Sequence, residues 1–558
     1  MNRNVESHFA LNPTNIDIRR STFDRSHSLK TSFNVGDIVP FFIDEVLPGD
    51  TFNVDTSKVV RLQTLLTPVM DNIYLDSYYF FVPNRLVWAH WKQFNGENTE
   101  SAWFPQTEYE IPQITAPASG GWSVGTIADY LGVPTGVPNL SVSALPFRAY
   151  ALVMNEWFRD ENLSDPLVVP VDDSTVAGVN TGTFVTDVAK GGLPYKAAKY
   201  HDYFTSCLPS PQKGPDVLIP SATSGNYPVV TSDQVHDPGG FTLSGKTGAA
   251  GFSDVQFSPN AYLQASVTTS NVGMSTKNSN SSFDPTNLWA LSSGGLGASI
   301  NQLRMAFQIQ KLYEKDARGG SRYIEILKSH FGVTSPDARL QRPEYLGGNR
   351  IPININQVVQ QSATASGETA QGTVTGMSVT TDTHSDFTKS FTEHGFVIGV
   401  MVARYDHTYQ QGLERFWSRK DRFDYYWPVF ANIGEQAVKN KEIYAQGPAK
   451  KDSAGNVIDE QVFGYQEAWA DYRYKPSRVT GEMRSQYAQS LDVWHLADDY
   501  AALPTLSDSW IREDKTNVDR VLAVTSTVSN QLFADIYIKN RTTRPMPMYS
   551  IPGLIDHH

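Results

Sequence analysis

The sequence predicts a mainly β protein, built from antiparallel sheets that carry long loops and helical insertions. Aromatic residues make up 12% of the 558 residues, and glycine and proline are plentiful, at 40 and 32. This composition is typical of many short strands joined by turn-rich loops. The strongest strand patterns lie near the two ends of the chain. This placement predicts that the two ends pair in one sheet and that the segments between them are insertions in its loops.

The amino-terminal strand patterns begin at Val35. Three segments rich in β-branched and aromatic residues follow one another and are separated by turn signals, namely residues 35–46, 51–66 and 71–83. They belong to the first part of a core that we assign to residues 35–208. Residues 1–34, which precede it, are polar and are predicted to form an N-terminal arm, commonly a flexible terminus.

Two further strands are predicted in the second half of the chain. Residues 394–406 are continuously apolar, which is typical of a strand buried on both faces. Residues 530–540 alternate instead, with one apolar face and one polar face: Leu532, Ala534, Ile536 and Ile538 against Asp535 and Lys539. A Ser/Thr/Gly-rich segment from about Ser362 to Thr383 is predicted to be a loop.

Three helices are predicted from their apolar periodicity and end signals, over residues 146–161, 299–318 and 321–332. In the last of these, Ser321 has the position of an N-cap and Gly332 that of a C-cap. The apolar positions of all three helices are expected to pack onto the sheet rather than to form a cofactor site.

Residues 209–298 differ in kind from the rest of the chain. They are rich in Ser and Gly and poor in charge, while apolar residues recur through them. Loops of this length inside a compact protein are usually functional or disordered. We predict a variable surface insertion here, and the core continues over residues 299–558.

Charge and cysteine content exclude several classes of function. The formal net charge is −12, so the protein does not coat nucleic acid over its whole surface and would need a local basic patch. The single cysteine, Cys207, rules out a disulfide framework or a cysteine metal cluster within one chain. The N-terminus lacks the apolar core of a signal peptide, and the apolar run at 396–403 is far shorter than the ~20 residues of a membrane span. A protein without membrane insertion is expected.

One motif for chemistry matches a known pattern, and its context argues against it. Gly240, Gly245, Lys246 and Thr247 fit the phosphate-binding P-loop spacing, which requires a preceding strand and a following helix. Neither is predicted here, so nucleotide binding is not expected. The twelve histidines form no zinc motif, and no nucleophile elbow is present. We therefore predict no catalytic residues, no metal site, no cofactor and no enzyme activity.

Seven segments spread over nearly the whole chain carry a family resemblance. The most specific is residues 317–348, which begin "ARGGSRYIEILKSHFG", and the others are residues 20–56, 75–98, 145–163, 423–444, 464–485 and 544–557. In order, spacing and content they resemble the major capsid proteins of microviruses, small icosahedral single-stranded DNA phages, and within them the gokushovirus branch. Residues 209–298 match weakly and look like the variable region of that family.

The resemblance implies a viral jelly-roll, a β-barrel or sandwich of about eight antiparallel strands. It also implies a homo-oligomer that closes into a T = 1 icosahedral shell around a circular single-stranded DNA genome. The insertion would form a protrusion at the three-fold axes that meets a host cell-surface receptor. Scaffolding, pilot and small basic DNA-binding phage proteins are the other implied partners. The protein would reside in the virion after assembly in the cytoplasm of a bacterial host.

Candidate genome contacts are two basic clusters at the chain ends. They comprise Arg19, Arg20, Arg25 and Lys30 near the N-terminus and Lys539, Arg541 and Arg544 near the C-terminus. Single-stranded DNA favours cations interleaved with aromatic platforms, and Phe23 and Tyr537 lie among these charges. The alternative is that these arginines pair with acidic groups across subunit interfaces, where arginine is enriched.

Two further questions stay open at this level. The aromatic clusters Tyr78–Phe81 and Tyr425–Trp427 could serve subunit contacts, although at least half of these residues are expected to be core. A secreted carbohydrate-binding or adhesin-like β protein is the alternative function, suggested by the aromatic residues and the Ser/Gly loops. The missing signal-peptide pattern counts against it.

Overall fold

The computed structural model describes residues 19–99, 107–215, 217 and 300–550 except 363, 365 and 368, together with the backbone of short strands between residues 229 and 290. The chain divides into two compact units. The first comprises Met1–Lys213 and Glu314–His558, and the second is Gly214–Tyr313. The second unit overlaps the predicted insertion, residues 209–298, most of which lies outside the described residues.

Strands dominate the described part of the chain. In chain order they are β1 (Ser21–Asp24), β2 (His27–Phe33), β3 (Val39–Val46), β4 (Thr51–Leu62), β5 (Ile73–Pro83), β6 (Gln113–Thr115), β7 (Ser141–Ser143), β8 (Val176–Ala177), β9 (Val229–Val230), β10 (Thr242–Lys246), β11 (Val255–Gln256), β12 (Ser282–Pro285), β13 (Trp289–Ala290), β14 (Glu344–Pro352), β15 (Ile355–Val359), β16 (Val374–Ser378), β17 (Thr380–Ser390), β18 (Gly395–Tyr405), β19 (Thr408–Tyr409), β20 (Glu435–Lys439), β21 (Val462–Glu467), β22 (Ser477–Arg478) and β23 (Leu532–Arg544).

The helices are mostly short. They are α1 (Asn84–Val87), α2 (Trp91–Phe94), α3 (Ile127–Tyr130), α4 (Leu145–Val153), α5 (Ile300–Gly319), α6 (Tyr323–Ile326), α7 (Asn440–Ile443), α8 (Asp508–Ile511) and α9 (Thr516–Val521). Two of them continue as π turns, α4 through Met154–Phe158 and α6 through Leu327–Phe331. No helix in this part of the chain is long and apolar enough to cross a membrane.

The first large sheet, sheet 1, unites the two ends of the chain. β23 pairs with β4, and β4 pairs with β17, all antiparallel. β1 and β2 pair with the other side of β23 and lie end to end along it. Ser21 of β1 is opposite Arg544, and Phe33 of β2 is opposite Leu532. The predicted pairing of the two chain ends in one sheet is therefore confirmed.

The second large sheet, sheet 2, has the strand order β14–β5–β18–β3 and is also antiparallel. β18 lies inside it and is buried along almost its whole length, as its continuously apolar sequence predicts. β1 and β2 lie end to end beside β23 and together occupy one strand position. The two sheets therefore have four strand positions each, eight in all. The jelly-roll expectation of about eight antiparallel strands is therefore met.

Sheets 1 and 2 enclose the main hydrophobic core. Alternate residues of β4 and β23 point into it, and so do residues of β5 and β18, among them Phe52, Ile536, Leu75 and Met401. The other face of sheet 2 packs against a layer that contains α1, α3 and α4, where Trp88, Trp122 and Tyr150 are buried. The molecule is a jelly-roll sandwich with a helical layer, and no closed barrel forms among the described strands.

A buried lysine links the two sheets through the core. The Nζ atom of Lys58 on β4 donates to Ser77 Oγ at 2.7 Å on β5 and to Asn349 Oδ1 at 2.8 Å on β14. Burial lowers the pKa of Lys58, while the carboxylates of Asp386 and Asp382 oppose that shift. Lys58 therefore joins β4 of sheet 1 to β5 and β14 of sheet 2 by hydrogen bonds inside the core.

The strand predictions were wrong in two polar regions. Pairing begins at Ser21, not at Val35, because β1 and β2 are polar strands whose ladder is supplied by β23. The segment predicted as a loop to Thr383 contains β16 and the start of β17. β17 is an edge strand of sheet 1, and one of its faces is exposed. Because a strand with one exposed face needs apolar residues on the other face only, its sequence shows no continuous apolar run.

The helix predictions were correct in position and less so in detail. α5 ends at Gly319 as predicted, and its predicted start at Ser299 lies outside the described residues. Met305, Phe307 and Leu312 of α5, which belong to the second unit, are exposed. Gly332 caps the turn after α6 with a φ of +70°, as predicted.

Two smaller predictions concern local motifs. The N-cap before α6 is Arg322 and not Ser321, whose backbone N–H donates to the Glu161 carboxylate at 2.7 Å. Thr242–Lys246, the central part of the P-loop-like motif, forms β10, which pairs with β11 and β12. An extended strand cannot provide the amide cradle of a P-loop, and Gly240 and Thr247 lie outside the described residues.

Candidate nucleic-acid interface

Strand alternation gives sheet 1 an outer face that is turned away from the core. Along β23 this face carries residues 533, 535, 537, 539 and 541, which are exposed, while the residues between them are buried. Along β4 it carries residues 53–61 at odd positions, from Asn53 to Arg61. Serine and threonine occupy much of the rest, so the outer face is flat and polar.

The fold brings the two predicted basic clusters onto this one sheet. Because β1 and β2 pair with β23, Lys30 lies opposite Asp535 and Asp24 lies opposite Arg541. On the other side of β23, Lys539 lies opposite Asp55. The sequence separates these charges by most of its length, and only strand pairing makes them neighbours.

Two of the cations on the outer face have acidic neighbours in the same chain. Lys30 Nζ lies 3.7 Å from an Asp535 carboxylate oxygen, and Lys539 Nζ lies 3.6 Å from Asp55. Hydrogen bonds from Ser26 hold the pKa of Asp24 below its usual range, with a further contribution from Arg541. Ion pairs as exposed as these contribute little to stability, so the lysines can exchange partners at low cost.

Arg25 and Arg544 have a different environment at one end of the sandwich. Arg25 pairs with Asp44 of β3. Arg544 lies 3.1 Å from the buried carboxylate of Asp50 and donates to the Glu45 carbonyl at 2.6 Å. Burial raises the pKa of Asp50. These two arginines therefore connect sheet 1 to sheet 2 and are engaged within the chain.

Arg19 and Arg20 precede β1 and are exposed. The Arg20 guanidinium donates to the Gly49 carbonyl and, at 3.4 Å, to Thr51 Oγ1. Arg61 was missed by the sequence prediction, although the alternation of β4 already indicated that it shares a face with Asp55. The outer face thus carries four cations, Lys30, Arg61, Lys539 and Arg541, against three carboxylates, Asp24, Asp55 and Asp535.

The two aromatic residues predicted among these charges are placed differently. Tyr537 is 49% exposed on the outer face, and Phe533 of the same strand is 38% exposed. Phe23 is half-buried and alternates with the outward residues Thr22 and Asp24, so it does not belong to this face. Tyr537 and Phe533 are therefore the aromatic rings that β23 exposes on the outer face.

The single thiol of the chain is enclosed. Cys207 is buried, and burial raises the pKa of its thiol. Among these residues, no three His, Cys, Asp or Glu side chains are grouped so that they could hold a metal ion.

A jelly-roll sandwich is an architecture that viral coat proteins share with lectins and cupins, so the fold is compatible with a viral coat protein. The comparisons with known proteins agree. The family model described as "Capsid protein (F protein)" matches residues 13–554. The capsid protein VP1 of Chlamydia phage 1 is 43% identical over 99% of this chain and 98% of its own length.

Two other VP1 capsid proteins are equally similar. That of Spiroplasma virus 4 is 43% identical over 96% of both chains, and that of Bdellovibrio phage phiMH2K is 43% identical over 99% of this chain and 98% of its own. The chain belongs to the F-protein family of microvirus capsid proteins, in its gokushovirus branch. It is a structural protein of the virion, as the names of its relatives indicate.

Proposed function

We propose that copies of this capsid protein close into a T = 1 icosahedral shell around a circular single-stranded DNA genome. The observation that carries the proposal is similarity to phage capsid proteins over nearly the full length of the chain. The fold is compatible with this role, because a rigid two-sheet sandwich with a third, helical layer gives every copy the same contact surfaces. The alternative of a secreted carbohydrate-binding or adhesin-like protein has no support from the comparisons.

We further propose that the outer face of sheet 1 meets the genome. Lys30, Lys539 and Arg541 are its cations from the predicted clusters, and Tyr537 is the ring on which a base can stack. Arg19 and Arg20 add positive charge next to this face, at the start of β1. Arg25 and Arg544 are engaged within the chain, so they attract DNA only through their longer-range electrostatic field. With four cations against three carboxylates, the face holds DNA weakly, as a shell that must release its genome requires.

Other partners follow from the family. Assembly in the bacterial cytoplasm would involve scaffolding, pilot and small basic DNA-binding proteins. The insertion, residues 209–298, would meet the host receptor from a three-fold protrusion. The separate compact unit Gly214–Tyr313 supports this division of labour, because a unit with its own contacts can vary without changing the sandwich.

The test of the genome contact is the triple variant Lys30→Ala, Lys539→Ala, Arg541→Ala. Shells should still form, because the three side chains are exposed, but they should contain less DNA. For the free subunit, log affinity for single-stranded DNA against log salt should lose roughly 2 units of slope, since each phosphate contact contributes ~0.7. Sedimentation of particles and their ultraviolet absorbance ratio measure the DNA content.

The matched control is Lys450→Ala with Lys451→Ala, two exposed cations outside the outer face. This variant should package DNA as the wild type does. If the triple variant instead abolishes shells while DNA affinity and its salt dependence stay unchanged, the outer face is a subunit contact and the genome assignment is wrong.

A further inference from the structure

The structure distinguishes the two aromatic clusters that the sequence left open. In the first, Tyr79, Phe80 and Phe81 are buried in β5, so this cluster belongs to the core. In the second, Tyr425, Tyr426 and Trp427 are 52%, 43% and 50% exposed. Such exposure of three consecutive large rings has no role in packing of the chain itself and indicates a contact with something else.

The exposed cluster is part of a larger aromatic surface. We define this surface as eight rings from the segments around 416–427 and 472–474, namely Phe416, Trp417, Phe423, Tyr425, Tyr426, Trp427, Tyr472 and Tyr474. Each ring is between 41% and 67% exposed. The ring centroids of Phe416 and Trp417 lie 4.7 Å apart and those of Tyr426 and Tyr472 6.3 Å apart, so the rings form neighbouring pairs.

Polar contacts beneath the rings hold this surface in place. Arg419 pairs with Asp471, and its guanidinium carbon lies 4.3 Å from the Tyr472 ring centroid and 5.4 Å from that of Tyr425. Trp427 Nε1 donates to the Arg422 carbonyl at 2.9 Å. Because the rings are already ordered, a partner that covers them pays little conformational entropy.

A hollow opens between four of these rings, Phe416, Trp417, Tyr472 and Tyr474. It has a volume of about 460 Å³ and is lined by Phe416, Trp417, Arg419, Tyr472 and Tyr474, among others. Arg415 lies in its wall and is paired with Glu442 at 2.8 Å. A hollow lined by aromatic rings and by paired arginines and carboxylates fits a bulky side chain or a short loop of another protein, which is how central contacts of protein interfaces are built.

The area of the aromatic surface matches the requirement of a stable interface. A large aromatic side chain offers ~200 Å², so eight rings that are about half exposed present roughly 800 Å². One partner in a standard protein interface contributes about 800 Å². A single small ligand could not cover a surface of this size.

We propose that the aromatic surface is the place where a neighbouring copy of this chain docks in the shell. This inference rests on the proposed shell function and names one of its contacts. An icosahedral shell needs heterologous contacts around its three-fold and five-fold axes, in which one surface of a subunit meets a different surface of the next. The occupant is therefore a second copy, and a loop of that copy fills the hollow.

A labelling experiment tests the contact directly. Val429 lies in the same segment and is 86% exposed, whereas the native Cys207 is buried, so a Val429→Cys variant reacts with a thiol reagent at one position. Labelling should be at least tenfold slower in assembled shells than in free subunits. Equal rates in both would overturn the proposal, and protection in DNA-filled particles but not in empty shells would show that the genome covers the surface instead.

Two variants test the contribution to assembly. Trp417→Ser combined with Trp427→Ser, and separately Val429→Asp, should leave a folded subunit by circular dichroism but no shells by electron microscopy. Val528→Asp, at an 80% exposed position outside the aromatic surface, is the matched control and should assemble. Normal shells from both variants contradict the docking proposal. If the wild type forms no shells, the proposed shell function is wrong. The docking proposal is then tested separately by self-association of the free subunit, which Val429→Asp should abolish.

Discussion

At the scale of single residues, His407 is held by carboxylates on both of its ring nitrogens. Its ring is buried, Nδ1 donates to Asp498 at 3.0 Å, and Nε2 donates to Glu513 at 3.1 Å. Burial alone would lower the pKa of His407, but the two carboxylates outweigh it and raise the pKa to about 10. Lys199 lies 3.7 Å from Asp498, so two cations balance two carboxylates in this cluster.

This arrangement predicts a pH dependence of stability. The pKa of His407 in the folded chain, about 10, lies above the ~6.5 of an unfolded histidine. Its stabilising contribution is therefore complete below pH ~6.5 and is lost as the pH rises towards 10. His407→Gln should lower the free energy of unfolding by about 3–5 kcal/mol at neutral pH, because it leaves buried carboxylates uncompensated. Urea unfolding of the free subunit at several pH values measures both effects.

The exposed His201 supplies the control. His201→Gln should retain the stability of the wild type and its decline between pH 6.5 and 10. A His407→Gln variant that declines with the wild-type slope in that window would contradict a protonated His407.

At the scale of elements, β14 shows how backbone and side chains act together. A bulge between Tyr345 and Gly347 interrupts its ladder with β5. Gly348 has a φ of +151°, and a Cβ there would lie 2.0 Å from the Ser77 carbonyl oxygen. The glycine thus allows close approach of the two strands, which places Asn349 within reach of Lys58.

We expect Gly348→Ala to cost roughly 2–6 kcal/mol, since overpacking of about 1–3 kcal/mol adds to backbone strain of about 1–3 kcal/mol. Gly447 is the matched control, because its φ is +86° and nothing lies within 4 Å of its would-be Cβ. Gly447→Ala should therefore lower the free energy of unfolding only by the backbone strain. Chemical denaturation of both variants gives the comparison, and equal losses would refute the steric role of Gly348.

The elements also show where sequence patterns are informative. β5, β18 and β23 were predictable, because core-facing strands need apolar residues at every position or at alternate positions. β1, β2 and β17 were not, because their sequences are polar and their stability comes from the neighbours with which they pair. The sequence of such a strand does not indicate which strands it pairs with.

At the scale of the whole molecule, the second unit is attached to a sandwich that is complete without it. Leu208 exchanges backbone hydrogen bonds with Tyr465, and Lys213 Nζ donates to Asn162 Oδ1 at 3.0 Å. Residues 209–213, which the sequence assigned to the insertion, therefore lie beside first-unit contacts, and the second unit begins at Gly214.

Replacing residues 214–298 with a short Gly/Ser linker should leave a soluble protein that forms shells and no longer attaches to host cells. The reason is that both large sheets and their cores lie in the first unit. Size-exclusion chromatography, electron microscopy and a cell-binding assay measure the three outcomes. As a contrast, deletion of residues 118–140, which include the buried Trp122, should abolish solubility. An insoluble 214–298 replacement would mean that the insertion belongs to the core.

The sequence by itself determined the fold class, the core-facing strands and the capsid family, because these depend on local pattern and on residues in fixed order. The tertiary structure alone decided which charges are free and which rings are exposed. It joined Lys30 to Asp535 and Lys539 to Asp55 across strands that are distant in the chain. It also buried Tyr79 while leaving Trp427 exposed. The physical reason is that burial and ion pairing depend on neighbours in space, which strand pairing selects from the whole length of the chain.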